Sequence, residues 1–288
     1  MASISSNPVC FICGAVENGY NLNRVGTRYI CDTCTAEYDA SRHIHSYGFK
    51  PAADFRGYGR NKRYFGVELE VVPASSGCYG RNLAIGSVVT RLKDLVYLKR
   101  DGSLTSGGFE IVSHPFSLGI MFDKSIFSKL ADCPLKSFSD STCGLHVHVS
   151  RTGLKGIQLA KLVYFFSLPE NDSFLKYIAQ RDFNHYCMKN QGSFKQEYTK
   201  NVPGVPVWES RYRAVNFCNA ATIEFRMFKG NVKPSAVYRA VEFVDAMLEF
   251  CRSTSAAKMN YKEFITYVNN MPGKRHEHLK CYINDFAG

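Results

Sequence analysis

The sequence predicts an α+β protein, a sheet with helices beside it, preceded by a small N-terminal zinc ribbon. Three observations predict this. Segments with period-two alternation recur at 65–71, 145–149 and 223–227, apolar residues at helical spacing follow at 158–168 and 234–252, and two C-x-x-C pairs open the chain. Its 288 residues are enough for one large domain or two smaller ones. With 45% hydrophobic residues, 21 Phe and 17 Tyr, the composition is globular.

Cys10-Phe11-Ile12-Cys13 and Cys31-Asp32-Thr33-Cys34 are separated by 17 residues, the spacing of a zinc ribbon. Each pair would sit on a tight knuckle, and four thiolates complete a closed tetrahedron around Zn²⁺. A segment this short needs the metal for its stability. The competing reading is a set of unrelated buried or redox cysteines. We place the ribbon at 1–40, a basic aromatic linker at 41–63 and the main domain at 64–288. The linker carries Arg42, Lys50, Arg56, Arg60, Lys62 and Arg63 among Tyr47, Phe49, Phe55 and Tyr58. Basic residues between aromatics suit single-stranded nucleic acid; the plainer expectation is a semi-extended segment wrapped over the main domain. His43 and His45 are expected to be exposed linker residues.

Glu68 and Glu70 share one face of the 65–71 strand, while Val67, Leu69 and Val71 form the other. The Gly- and Ser-rich 73–87 reads as a loop and 88–98 as an amphipathic helix. Lys99-Arg100-Asp101-Gly102-Ser103 has turn chemistry. The strand at 107–113 carries Glu110 beside two glycines, where a ligand or another backbone comes close. His146 and His148 share a face between valines, and two imidazoles at that spacing are hard to explain as solvent decoration. Helices are expected at 158–168, 174–180 and 234–252, the last opened by Pro234, with a short one near 262–268. Segment 192–208 is polar with prolines and reads as a loop. Segments 211–217 and 222–228 read as a strand pair, the second placing Glu224 and Arg226 on one face. His276 and His278 are expected to be solvated.

Three carboxylates, a fourth at Glu110 and a histidine form a mostly hard oxygen set suited to Mg²⁺ or Mn²⁺. Arg226 would face the same cavity and stabilise a phosphoryl group, with Arg211 and Arg213 as further cations. There is no Gly-x-x-x-x-Gly-Lys-Ser/Thr loop, so phosphate would be held by metal and arginine.

In their order, Phe65-Gly66-Val67-Glu68-Leu69-Glu70, Asp101-Gly102-Ser103-Leu104 with Gly108-Phe109-Glu110-Ile111, Gly144-Leu145-His146-Val147-His148 and Thr222-Ile223-Glu224-Phe225-Arg226 resemble the amidoligase family. These are carboxylate–amine ligases related to glutamine synthetase and glutamate–cysteine ligase, often encoded by phages and mobile elements. The resemblance spans roughly residues 46–230. It implies a curved antiparallel sheet with helices on one face and an amide-forming ligase that uses ATP and Mg²⁺ through an acyl phosphate. It further implies Glu68, Glu70, Glu110, His146 and Glu224 as metal ligands and Arg226 as the phosphate-stabilising arginine. His148, Arg211 and Arg213 would lie near substrate or phosphate, and Lys99, Asp101, Ser103 and Asn216 at the substrate or nucleotide. The partners would be a carboxylate and an amine, a peptide or protein among the candidates.

The balance of 36 Lys+Arg against 25 Asp+Glu gives a net charge of +11. That favours an anionic partner and keeps nucleic acid in view through ribbon and linker. Two other readings therefore stand beside the ligase: a nucleic-acid-binding ribbon protein on a ligase-like fold, and a metal-dependent phosphotransferase or nuclease using the same carboxylates. The first eight residues show no signal-peptide pattern, and no apolar run is long enough to span a bilayer. Eleven cysteines, most of them single in apolar segments, fit reduced thiols. A cytoplasmic protein with no membrane partner is expected.

Overall fold

The computed structural model describes residues 8–16, 21–25, 28–57, 63–104, 107–123, 126–191, 195, 210–273 and 276–287. Most of the loop expected at 192–208, and Tyr58, Arg60 and Lys62 of the linker, lie outside the described residues. In chain order the strands are β1 (Leu22–Val25), β2 (Arg28–Cys31), β3 (Ile44–His45), β4 (Phe65–Pro73), β5 (Val96–Lys99), β6 (Phe109–Ser113), β7 (Leu135–Lys136), β8 (Gly144–Ser150), β9 (Val215–Asn216) and β10 (Thr222–Lys229). The α-helices are α1 (Asp32–Ser41), α2 (Gly77–Leu92), α3 (Leu118–Asp123), α4 (Gly156–Ser167), α5 (Asp172–Ala179), α6 (Pro234–Ser253), α7 (Tyr261–Asn269) and α8 (Glu277–Ala287).

The α+β class is as expected. An eight-stranded sheet runs β3-β5-β6-β4-β8-β10-β9, with β7 on the end of β4. Only β3–β5 is parallel; the other pairings are antiparallel. The sheet is open, with β3 and β9 at its edges. Val67, Leu69 and Val71 on β4 and Leu145, Val147 and Val149 on β8 are buried in one core with α2, α4, α5 and α6. Period-two alternation puts every acidic and imidazole group of these strands on the opposite face. That face carries the polar site.

Segment 73–87 is a correction to the sequence reading. α2 begins at Gly77, and 88–98 is the end of this helix followed by β5. Gly77 (φ +80°) turns the chain in. Gly80 then packs against Ser75, where a Cβ would lie 2.2 Å from a backbone oxygen. Ala84, Ile85, Val88 and Leu92 make the buried stripe. Burial of that stripe overrides the weak propensity of the glycines. Helices α1, α3 and α8 also go beyond the sequence expectation.

His276 and His278 are a second correction. His276 is fully buried and its Nε2 lies 2.8 Å from Asp245 Oδ2. His278 Nδ1 lies 2.8 Å from Glu242 Oε1, and the Leu279 amide donates to Glu242 Oε2 at 2.7 Å. Arg63 completes the arrangement, donating to Asp245 at 2.6 Å and Glu249 at 2.8 Å. Buried charges persist when paired and hydrogen-bonded. Acidic residues of α6 thereby tie the end of the linker and the start of α8 to the core.

Residues 44–56 lie against the main sheet. Ile44–His45 adds an edge strand to the main sheet, beside β5. Phe49 stacks on His45 and meets Tyr97 edge-on, and Phe55 meets Tyr64. The Arg56 amide donates to the Pro115 carbonyl and its carbonyl accepts from the Ser117 amide, each at 2.8 Å, on either side of Phe116.

Candidate active site

Strand register builds the polar face row by row. One row is Lys99, Glu110 and Glu70, from β5, β6 and β4. The next is Tyr97, Val112, Glu68 and His146, reaching β8. The third is Gly66, His148, Glu224 and Asn216, reaching β10 and β9. Residues opposite one another in an antiparallel pair share a face with Cβ atoms about 5 Å apart. Side chains far apart in sequence, Glu68 and Glu224 among them, are thus brought within ligand distance.

Glu68, His148 and Glu224 each place one ligand atom within 4.8 Å of the others, and Glu70, Asp101 and Glu110 form a second such group. His146 lies between them, its Nδ1 3.5 Å from Glu68 and 3.6 Å from Glu224, its Nε2 3.9 Å from Glu70. Asn216 donates to Glu224 Oε2 at 2.9 Å, and Arg226 donates to Glu224 Oε1 at 2.5 Å. Lys99 Nζ stands 3.4 Å from Glu110. Asp101 accepts from the Ser103 amide at 2.7 Å and its hydroxyl at 2.6 Å, the turn that the sequence signalled. The Gly144 amide donates to Glu70 Oε2.

The donor set fits divalent cations. His146 Nδ1, His148 Nε2 and Glu110 Oε2 are buried and meet their charged neighbours at 3.4–3.6 Å without forming hydrogen bonds, whereas buried polar groups are nearly always satisfied. Burial opposes the ionised form of Glu68, yet the His148 and His146 imidazoles hold its carboxyl well below the usual carboxylate range. Glu224 is lowered in the same way: burial is outweighed by His146, His148 and Arg226. Burial is also the largest influence on His148, but Glu68 beside it raises its pKa. Glu110 behaves oppositely. Burial, then the charge on Glu68, pushes it up to about 8, against the lowering effect of Lys99.

A cavity of about 450 Å³ opens onto this face. Glu70, Asp101 and His146 line it together with Arg181, Arg211 and Arg226, and Tyr47, Tyr186 and Tyr212 border it. Arg211 donates to the Tyr47 hydroxyl at 2.7 Å, so the linker contributes to its mouth. Arg213 is turned elsewhere, donating to the Lys189 carbonyl at 2.8 Å, and does not line the cavity. Arg181 and the tyrosines Tyr186 and Tyr212 were missed by sequence reasoning, because no spacing pattern connects them to the charged strands.

The four ribbon cysteines also converge, each with its sulfur within 4.8 Å of the rest. Cys13 and Cys31 Sγ are 3.8 Å apart. Four sulfurs about 2.3 Å from one tetrahedral zinc would stand roughly 3.8 Å from one another. Cys10, Ile30, Cys31 and Cys34 form a small core of their own. Helix α1 springs from the second knuckle, where Cys31 Sγ accepts from the Cys34 amide, and Asn82 of α2 donates to the Thr33 carbonyl at 2.9 Å.

No family model matches the chain, and no curated protein matches it. Among solved structures, one described as GmaS in its apo form without ligand aligns at 12% identity, over 92% of this chain and 80% of that one, with a TM-score of 0.35. Fold and site stand on the register and distances above. No helix among the described residues is long and apolar enough to cross a membrane.

Proposed function

We propose that the chain is an ATP- and Mg²⁺-dependent carboxylate–amine ligase of the amidoligase type, working through an acyl phosphate. The observation that supports this most is that two acidic groups, Glu68/His148/Glu224 and Glu70/Asp101/Glu110, flank His146 on one sheet face, with Glu70, Asp101, His146 and Arg226 lining the cavity. Carboxylate oxygens with one or two imidazoles suit Mg²⁺ or Mn²⁺. When bound, such ions neutralise charge between the nucleotide phosphates and an incoming carboxylate.

The residues of the chain would do the following. Glu68, His148 and Glu224 hold one cation, with Asn216 orienting Glu224. Glu70, Asp101 and Glu110 hold a second, with His146 between the two groups. Arg226 points its guanidinium at the γ-phosphoryl group in transfer, where charge-assisted donors act most strongly. The substrate carboxylate oxygen attacks the γ-phosphorus, and the β–γ bridging oxygen leaves with ADP. An amine nitrogen then attacks the acyl carbon, the acyl C–O bond breaks, and inorganic phosphate leaves carrying the proton lost by the amine, which gives the amide. In the ribbon, Cys10, Cys13, Cys31 and Cys34 would hold Zn²⁺, which closes the two knuckles when bound.

A hydroxylamine trap tests this. Protein, Mg²⁺ and ATP are incubated with pools of carboxylates, and hydroxamate and ADP are both quantified. Matched amounts of the two, absent in Glu68→Gln, are expected. ADP without hydroxamate would replace ligation by phosphotransfer at the same carboxylates, and neither product across broad pools would remove the ligase reading.

A further inference from the structure

β10 breaks its ladder at the site. Phe225 pairs with Val147 and Phe228 with Leu145, so Arg226 and Met227 together face a single residue of β8. This β-bulge lets Phe228 return to the core face while Arg226 stays on the polar one; a strict alternation would have put Phe228 among the carboxylates. A bulge leaves backbone groups without ladder partners, and buried carbonyls need donors. Arg181 supplies them: its Nε donates to the Met227 carbonyl at 3.0 Å and its Nη2 to the Arg226 carbonyl at 2.5 Å.

The position of Arg181 is itself built. Helix α5 ends at Ala179, and Gln180 adopts the left-handed φ of +57°, its side chain accepting from Arg239 at 2.8 Å. That turn directs Arg181 back to the sheet. Its remaining nitrogen, Nη1, is among the three atoms nearest the point where a Cβ on Gly144 would sit. That point is 3.0 Å from Glu70 Oε2, 3.3 Å from His146 Nε2 and 3.6 Å from Arg181 Nη1. Glycine leaves this convergence open.

We propose that Arg181 is the positioning residue for Arg226: by holding the two carbonyls of the bulge it fixes the guanidinium of Arg226 beside Glu224 at the cavity. The kinetic part of its test rests on the ligase reading; the structural part does not. Crystal structures of wild type, Arg181→Ala and Arg181→Lys give the second. In Arg181→Ala, Arg226 is expected to leave Glu224 by roughly 1 Å or more, a misplacement that costs on the order of 100-fold in kcat, with KM for ATP within about twofold of wild type. Free guanidinium ion should restore part of the kcat of Arg181→Ala. A lysine side chain offers one nitrogen to two carbonyls, so Arg181→Lys should fold and remain slow. If Arg181→Ala does not fold, Arg181→Lys is read in its place. Arg226 unmoved beside Glu224, or an unchanged kcat, would overturn the proposal. Failure of the wild type to turn over would overturn the ligase reading alone and leave the crystallographic comparison to decide on Arg181.

Discussion

Glu70 and Glu110 are register partners on β4 and β6, Cα opposite Cα, and both are buried. Like charges placed directly opposite destabilise a sheet, so this pair takes either a cation or a proton. It also sets a pH dependence. Glu110 titrates near 4.5 when unfolded and is pushed up to about 8 in the fold by burial and by Glu68. Between those values the folded chain keeps a proton that the unfolded chain has lost, so stability falls as pH rises through this window and levels off above it. Urea midpoints measured without added divalent cation should decline from about pH 5 to about pH 8. Glu110→Gln should flatten that decline. Added Mg²⁺ should reverse it most strongly at high pH, where a cation need not displace the proton.

Asn216 fixes Glu224 through a 2.9 Å bond without joining the ligand group itself. Outer partners of this kind typically change metal affinity about 10–100-fold when removed. Asn216→Ala should weaken Mn²⁺ binding by that factor, read by electron paramagnetic resonance of free Mn²⁺.

The Arg63–Asp245 pair is largely buried, with Asp245 also bound to His276. Removing one partner of such a pair leaves an uncompensated charge and costs about 3 kcal/mol. Arg63→Ala should lower the unfolding free energy by about that amount in urea titrations. Proteolysis should then open first near the start of α8, where Asp245 holds His276.

If Cys10, Cys13, Cys31 and Cys34 hold zinc, as proposed above, its removal should act beyond the two knuckles. Helix α1 starts at the Cys31–Cys34 knuckle and lies on α2 through the Thr33–Asn82 bond. Cys34→Ser should lose one zinc per chain by elemental analysis. Amide exchange should then rise in α1 and along the exposed face of α2, while β4 and β8 stay protected.

Arg226→Lys provides a further check on the phosphoryl role. Losing one preorganised donor at a developing charge typically costs about 10²–10³ in kcat, roughly 3–4 kcal/mol of transition-state stabilisation. Nucleotide binding, followed by fluorescence titration, should change far less than kcat.

Much of the site could be read locally. Period-two alternation places Glu68 with Glu70, His146 with His148 and Glu224 with Arg226 on shared faces whatever the strands pair with. The C-x-x-C spacing likewise announces the four-cysteine group, which the structure brings together. The misreadings came where local signals are weak. The glycines of 73–87 argue for a loop until Ala84, Ile85 and Val88 are buried in the core. His276 looks solvated until Asp245, 31 residues away, supplies its partner.

The sequence by itself determined which side chains share a face along each regular stretch of strand, because successive residues of an extended chain point to opposite sides; the bulge after Phe225 is where that rule stops. It determined the cysteine knuckles for the same local reason. Only the tertiary structure decided that Glu110 stands opposite Glu70, that Glu68 stands opposite His146, and that Arg181 reaches the bulge beside Arg226. These depend on strand order, register and one left-handed turn. Such pairings are set by burying a whole hydrophobic face at once, and no short stretch of sequence carries that information.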